Sequence, residues 1–278
     1  MKPHTDKERG QKITSRQNPL VQQARAVRAG KDPDLIFVEG LRLCAEAVAA
    51  SLRVETALVT ARVAQDARGA ELLAELRRAG ARAFEVSESV LAAVADTDSP
   101  QGLVLLAHRP RAGRHALEAN AMETPLVVIM HRINNPANAG AMLRVAEAAG
   151  ATGVIATAGT VDLFSPKSLR GAMGSAFRLP LWPGAHLDEA LNWCVARGIV
   201  TVATDLHAEL THTEFDWTRP HALVMGAEAH GLAPQESAAA ATHLRIPMRA
   251  PVESLNVATA LAVVLYEAAR QRAAGGGR

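Results

Sequence analysis

Aromatic residues make up only 3% of this 278-residue chain, and there is a single tyrosine. The cores must therefore be built from alanine, valine and leucine, and an apolar fraction of 49% supplies them. Cysteine is also scarce. Cys44 and Cys194 fall in different halves, which excludes a disulfide framework and a thiolate metal cluster and leaves two buried free thiols. The ten histidines are scattered. His207, His212 and His221 are too irregularly placed to read as ligands, so no metal is expected. There is no Gly-x-Gly-x-x-Gly fingerprint, no nucleophile elbow and no phosphate loop, which argues against a dinucleotide dehydrogenase and against a hydrolase. No apolar signal segment opens the chain. The longest apolar helical stretch, Leu255–Tyr266, is short and is interrupted by Asn256 and Thr259. The expectation is a cytoplasmic protein with no membrane partner.

Net charge is only +2, but it is unevenly placed. Residues 1–114 hold 18 basic and 14 acidic side chains, whereas residues 115–278 hold 12 and 14. Residues 1–31 carry Lys2, Lys7, Arg9, Lys12, Arg16, Arg25, Arg28 and Lys31 against Asp6 and Glu8. Such an excess suits a polyanion, and Lys12, Arg16, Arg25 and Arg28 are the candidate contacts to it. A solvated tail is the alternative that charge alone leaves open.

The length allows one large or two ordinary domains. Residues 1–12 read as a disordered tail. A small α/β domain over 13–107 alternates strands at Leu35–Glu39, Val54–Thr60, Ala81–Val86 and Gly102–Ala107 with helices at Pro19–Ala29, Gly40–Ala50 and Ala67–Ala79. Proline, glycine and charge mark 108–124 as a linker. A second domain, 125–272, has apolar strands at Leu126–Met130, Gly153–Ala156, Ile199–Thr204, Ala222–Met225 and His243–Ile246. Helices are expected at Ala141–Ala149, Leu187–Ala196, Pro234–Ala241 and Leu255–Arg272, with 273–278 a second tail. This alternation predicts a parallel sheet covered by helices on both faces.

Three segments carry the chemistry. Asn135-Pro136-Ala137-Asn138-Ala139-Gly140-Ala141-Met142-Leu143-Arg144 joins a buried strand to a helix. Val224-Met225-Gly226-Ala227-Glu228-Ala229-His230-Gly231-Leu232 brackets an acid with glycines at a strand end, where ligand crevices form in α/β sheets. Ile246-Pro247-Met248 precedes Glu253-Ser254-Leu255-Asn256-Val257. In this order near the C-terminus, the three resemble the signature motifs of the SpoU (TrmH) branch of the SPOUT RNA methyltransferases. The resemblance covers Leu126 to Ala268 strongly. It implies methyl transfer from S-adenosylmethionine to a ribose 2′-hydroxyl of RNA, a deep C-terminal trefoil knot and a homodimer. Asn18-Pro19, Phe37-Val38-Glu39-Gly40 and Gln101-Gly102-Leu103-Val104 resemble, more weakly, the ribosomal-protein-like RNA-binding domain that often precedes the catalytic one. That domain favours ribosomal over transfer RNA as substrate. A transfer-RNA enzyme and an inactive RNA-binding relative that assists ribosome assembly are the alternatives.

By the resemblance, Asn138, Arg144, Glu228, Ser254 and Asn256 form the catalytic set. Thr204, Gly226, Ile246, Met248 and Leu255 hold S-adenosylmethionine. Helical side chains lean toward the N-terminus, so Arg144 is expected to reach back to a loop holding Asn138. Read singly, Asn138 and Ser254 are helix caps and Arg144 a surface charge. The stretch Phe164–Ser175 also resembles the family, and Arg170 and Ser175 in it are candidate RNA-phosphate or subunit contacts. Two residues depart from the pattern, Ala250 for the usual glycine and Ala258 for a frequent serine. Neither is a reacting group.

Overall fold

The computed structural model of the chain describes residues 12–120, 124–227 and 231–275. They divide into two compact units, Met1–Pro110 with Phe164–Phe177, and Arg111–Leu163 with Arg178–Arg278.

In the first unit, Asn18 caps α1 (Pro19–Arg28) by accepting the Leu20 N–H, and Pro19 stands at the first helical position. Then follow β1 (Leu35–Glu39), α2 (Leu41–Ala49), β2 (Val54–Thr60), α3 (Ala61–Gln65), α4 (Ala67–Arg78), β3 (Arg82–Val86), α5 (Glu88–Val94) and β4 (Leu103–His108). The sheet order is β1-β4-β2-β3. Strand β4 runs antiparallel to both neighbours, and β2 runs parallel to β3. Val21, Phe37, Leu58, Val90 and Leu106 belong to one buried cluster under α1 and α5. Of the expected tail over 1–12, residues 1–11 lie outside the described residues. Ile13 donates its N–H to Glu85 O at 2.8 Å and accepts the Ser87 N–H at 3.0 Å, and Lys12 pairs with Glu85.

The second unit opens with α6 (Arg114–Ala119), inside the segment expected to be a linker. Gly113 donates its N–H to Leu181 O at 2.7 Å, which anchors that helix. Next come β5 (Leu126–Met130), α7 (Pro136–Ala148) and β6 (Gly153–Thr157). The chain then gives α8 (Pro166–Ala172) to the first unit and passes through α9 (Ser175–Arg178). It continues through β7 (Leu181–Ala185), α10 (Leu187–Val195), β8 (Val200–Thr204), β9 (His221–Met225), α11 (Pro234–Ala238), β10 (Thr242–Leu244) and α12 (Val257–Gly275). Six parallel strands stand in the order β10-β8-β9-β5-β6-β7. The sequence does not signal β7, because Pro183 and Gly184 read as a turn. As an edge strand paired only with β6, it tolerates proline.

Strand alternation explains the two faces. Val127 and Ile129 pack with Leu191, Trp193 and Cys194 of α10. Leu126, Val128 and Met130 point the other way and are equally buried. Helix α7 packs on β6 and α12 lies against α7, with Met142, Leu143, Leu261, Val264 and Leu265 wholly buried. Helix α12 runs past the expected end at Arg272. Arg272 itself donates to the carbonyls of Trp217, Arg219 and Thr124, and Gln271 accepts the Trp217 N–H at 2.9 Å. Both cysteines are free and buried. Burial pushes both thiols up, that of Cys194 to about 12, so neither is a nucleophile at neutral pH. Among the described residues no helix is long and apolar enough to cross a membrane, and no group of three or more acidic, histidine or cysteine side chains could hold a metal ion.

Candidate active site

The loop after β5 delivers the first motif differently from expectation. Asn135 caps α7, its side chain accepting the Ala137 N–H at 2.9 Å, and Pro136 takes the first helical position. The helix therefore starts five residues before the expected Ala141. Asn138 lies inside its first turn and is neither loop nor cap. Arg144 follows six residues later, about 9 Å along the axis and roughly 120° round it. It does not reach back to Asn138. Arg144 is exposed, and among the described residues it makes no hydrogen bond or ion pair.

Asn138 is held by the third motif instead. Asn256 donates from Nδ2 to Asn138 Oδ1 at 3.1 Å. The Asn256 Oδ1 accepts the N–H groups of Ala258 (3.0 Å) and Thr259 (3.4 Å). Asn256 is thus the N-cap of α12, a role expected of Ser254, and its amide nitrogen is left over to join the two motifs. Ser254 and Leu255 precede the helix and are exposed.

The residues expected to hold the methyl donor lie at neighbouring strand ends. Leu244 of β10 pairs with Thr204 of β8, and Ala203 of β8 pairs with Val224 of β9. Thr204 closes β8, Gly226 follows β9 directly, and Ile246 stands two residues beyond β10. Asp205 donates its N–H to Leu244 O at 2.9 Å, and Arg245 donates from Nε to Ala208 O at 2.9 Å, so the loops leaving β8 and β10 are laced together. Thr204, Gly226, Ile246 and Met248 are all half-buried.

Gly226 is required for a reason the sequence conceals. A Cβ there would lie 2.4 Å from the Gly231 carbonyl carbon and 2.6 Å from the Leu232 nitrogen. The close approach is to the chain's own backbone, where Ala227 bridges Gly231 and accepts its N–H at 2.8 Å. Gly231 has φ +62, the left-handed region that glycine enters without strain. Glu228, the acidic residue of this motif, lies outside the described residues. Ala250 has no positive φ, so alanine in place of glycine brings no backbone strain. Ala258 sits on the buried side of the first turn of α12.

Four of the five expected RNA contacts have protein partners. Arg25 donates from Nε to Ala93 O at 3.1 Å, and Arg28 from Nη1 to Val94 O at 2.8 Å and to Ala95 O. These are carbonyls at the C-terminal end of α5, which helix geometry leaves without intrahelical partners. Arg170 pairs with Asp96 at 2.7 Å, and the Asp96 N–H donates to the buried carboxylate of Glu39 at 2.7 Å. Lys12 lies 3.2 Å from Glu85, both side chains nearly half exposed. Arg16 is exposed and has no side-chain partner among the described residues. Ser175 is buried, which removes it as an RNA contact. The Glu39-Gly40 and Gln101-Gly102 pairs prove to be structural. Gln101 Oε1 accepts the Leu41 N–H at 3.1 Å, and a Cβ on Gly102 would come within 2.5 Å of Val63.

One cluster was invisible in sequence. At the C-terminal ends of β5 and β6, His131 Nδ1 lies 3.0 Å from Thr157 Oγ1, and Arg132 pairs with Glu236 at 2.9 Å. Glu236 also accepts the Ala233 N–H, which together with His131 and Arg132 holds its carboxyl below the usual range against the opposing effect of burial. A gap of about a hundred residues separates the members, and no local pattern announces it.

Comparison with known proteins gives these features a context. A family model of the SpoU rRNA methylases matches residues 125–266, and one of the MRM3-like substrate binding domain matches residues 18–105. An uncharacterised tRNA/rRNA methyltransferase of Synechocystis is 33% identical over 263 residues, 94% of each chain. The 23S rRNA (guanosine-2′-O-)-methyltransferase RlmB of Ralstonia nicotianae is 34% identical over 215 residues, covering 75% of this chain and 84% of the relative. An rRNA methyltransferase from Sinorhizobium meliloti, solved with S-adenosylmethionine bound, superposes with a TM-score of 0.82 at 29% identity over 94% of this chain and 97% of that one.

Proposed function

The chain belongs to the SpoU rRNA methylase family, and from that premise we propose that it methylates a ribose 2′-hydroxyl of ribosomal RNA with S-adenosylmethionine as donor. The observation that carries the reading is the Asn256–Asn138 hydrogen bond, which closes the third motif on the first across 118 residues of sequence. The names of the Ralstonia and Sinorhizobium relatives agree in methyl transfer to rRNA.

The residues at the ends of β8, β9 and β10 fit the donor. Ile246 and Met248 supply half-buried apolar surface, and the strand-end backbone supplies hydrogen-bonding groups that can read an adenine edge. When bound, S-adenosylmethionine supplies an electrophilic methyl group that passes to the 2′-oxygen and leaves S-adenosylhomocysteine. Arg144 offers only N–H donors and no acceptor, so the 2′ proton passes to solvent water and not to the guanidinium. Its part in this reading is to stabilise the oxyanion that develops and to clamp a neighbouring phosphate in bidentate fashion. Asn138, Asn256, Ser254 and Glu228 set the position of the attacking ribose.

The same reading includes a cytoplasmic location, the trefoil knot at α12 and a homodimer. The apolar side chains of α12 do not argue for a dimer, since Leu261, Val264 and Leu265 are already buried within one chain. Support comes from exposed apolar side chains, Val252 and Tyr266, each more than half exposed, and Leu255. Light scattering should give twice 29.4 kDa, and a stable, active monomer would remove the dimer. The function itself is tested by incubating the protein with labelled S-adenosylmethionine and ribosomal RNA from cells lacking its gene. One alkali-resistant 2′-O-methyl position should appear. Transfer only to transfer RNA, or no transfer to any RNA by protein that binds the donor, would overturn the reading.

A further inference from the structure

A cleft of about 360 Å³ opens at the ends of β5, β6 and β7, separated by β9 from the β8 and β10 ends. That volume falls within the range of about 300–1,000 Å³ for small-ligand pockets. His131, Arg132, Thr157 and Glu236 line it, together with Asp188 and Leu191 of α10. His131 is only 4% exposed. Its Nε2 is buried, 3.2 Å from Glu236 Oε1 but off the alignment of a hydrogen bond. On its other side Nδ1 faces the Thr157 hydroxyl at 3.0 Å, so both ring nitrogens meet polar groups of the wall.

The backbone beneath is strained to make this arrangement. Arg132 adopts φ +55, a left-handed conformation that strains a non-glycine residue. Its side chain lies over Gly159, where a Cβ would come within 3.3 Å of Arg132 Cγ. Strain of this kind persists where the surroundings over-determine it, and such places are commonly functional.

The charge of the cleft selects the ligand. Arg132 is neutralised by Glu236, and Asp188 at the mouth has no partner among the described residues. Two carboxylates against one guanidinium disfavour a phosphate. They favour a neutral planar group that presents N–H donors and can lie against Leu191. Among the parts of an RNA these are the bases, and guanine alone offers two adjacent Watson–Crick donors, N1–H and N2–H, to one carboxylate. We propose that this cleft seats an unstacked guanine of the RNA substrate, read by Asp188 and bordered by the His131–Thr157–Glu236–Arg132 wall. The proposal rests on the methyltransferase reading above and adds a base-recognition site to it.

The test uses the full chain saturated with S-adenosylhomocysteine, so that nucleosides do not compete for the donor site. Guanosine, inosine, adenosine and uridine are compared by saturation-transfer NMR. Guanosine should bind best. Inosine, which lacks the 2-amino group, should bind roughly tenfold more weakly, the effect of losing one half of a bidentate contact. Asp188→Asn should weaken guanosine by a similar factor, and Ala239→Trp, placed on the exposed lining, should block it. Equal binding of all four nucleosides, no guanosine signal at millimolar concentration, or guanosine binding untouched by both variants would overturn the proposal. Donor binding and methylation of ribosomal RNA are measured on the same preparations before S-adenosylhomocysteine is added. Wild-type protein that methylates RNA but fails with guanosine removes this site alone; protein that neither binds the donor nor methylates removes the functional reading.

Discussion

Helices α1 and α7 each carry arginines that look alike in sequence, and they meet opposite fates. On α1, Arg25 and Arg28 are half-buried and bonded to the carbonyls that end α5. On α7, Arg144 is exposed and has no partner among the described residues. Charge counting favours the first pair as ligand contacts, since they lie in the basic stretch before residue 115. Structure reverses that ranking. A guanidinium is available to a substrate only where no orphan carbonyl or carboxylate already holds it, and that depends on chain segments nearly seventy residues away.

The largest effect expected from this contrast is at Arg144. Arg144→Ala should lower methyl transfer by roughly a thousandfold, the scale of losing a donor aimed at developing charge. The melting temperature should not move, because an exposed side chain without partners contributes little. Arg144→Lys should fail almost as badly, since a point charge does not reproduce the planar fork. Single-turnover assays at matched folded protein decide this, and near-normal turnover by the alanine variant excludes Arg144 from the chemistry. Next in size is Gly226→Ala. Its Cβ would meet backbone at 2.4 Å, so the Ala227–Gly231 loop must open at a cost of about 1–3 kcal/mol. Calorimetry should show weakened S-adenosylmethionine binding with the first unit's stability unchanged. Unaltered affinity would separate that loop from the donor site.

The contrast also shows where sequence reasoning stopped. The parallel order of the second unit was legible, because buried apolar strands alternate with helices. Strand β7 was not, because Pro183 and Gly184 are tolerated only on an edge. The identities Asn138 and Asn256 were legible as motif members, but their mutual hydrogen bond was not. It depends on Asn135 starting α7 early, and on Asn256 rather than Ser254 capping α12. Both are choices among neighbouring capping residues that differ by little in local energy. The His131–Glu236 cluster left no local signature, since it is assembled only by the strand order.

A smaller effect is expected on the other side of the comparison. Arg28→Ala should destabilise the protein by about 1–3 kcal/mol, because Val94 and Ala95 lose a charged donor in a partly buried setting. Methyl transfer at a temperature where the variant is folded should stay within a factor of two or so of the wild type. A large loss of RNA affinity with unchanged stability would mean that Arg28 leaves its carbonyls to meet phosphate, and the two helices would then differ less than they look.

The smallest effect concerns the cations that lie between these extremes. Lys12 is paired with Glu85 across an exposed 3.2 Å contact, and Arg16 has no side-chain partner among the described residues. An exposed pair of this kind contributes about 0–1 kcal/mol, so Lys12 can exchange a carboxylate for a phosphate at almost no cost in folding. We expect Lys12→Ala and Arg16→Ala each to weaken binding of ribosomal RNA by only a few-fold. The salt dependence is the sharper readout. Each phosphate contact removed should lower the slope of log affinity against log salt by roughly one. The double variant should therefore bind RNA with a shallower slope, the same S-adenosylmethionine affinity and the same melting temperature as the wild type. The double variant Arg25→Ala with Arg28→Ala should show the reverse, a lower melting temperature and an unaltered slope. If both doubles flatten the slope equally, the carbonyl-bound arginines are as available to RNA as the exposed ones, and side-chain partnership does not decide which cations of the first unit meet the substrate.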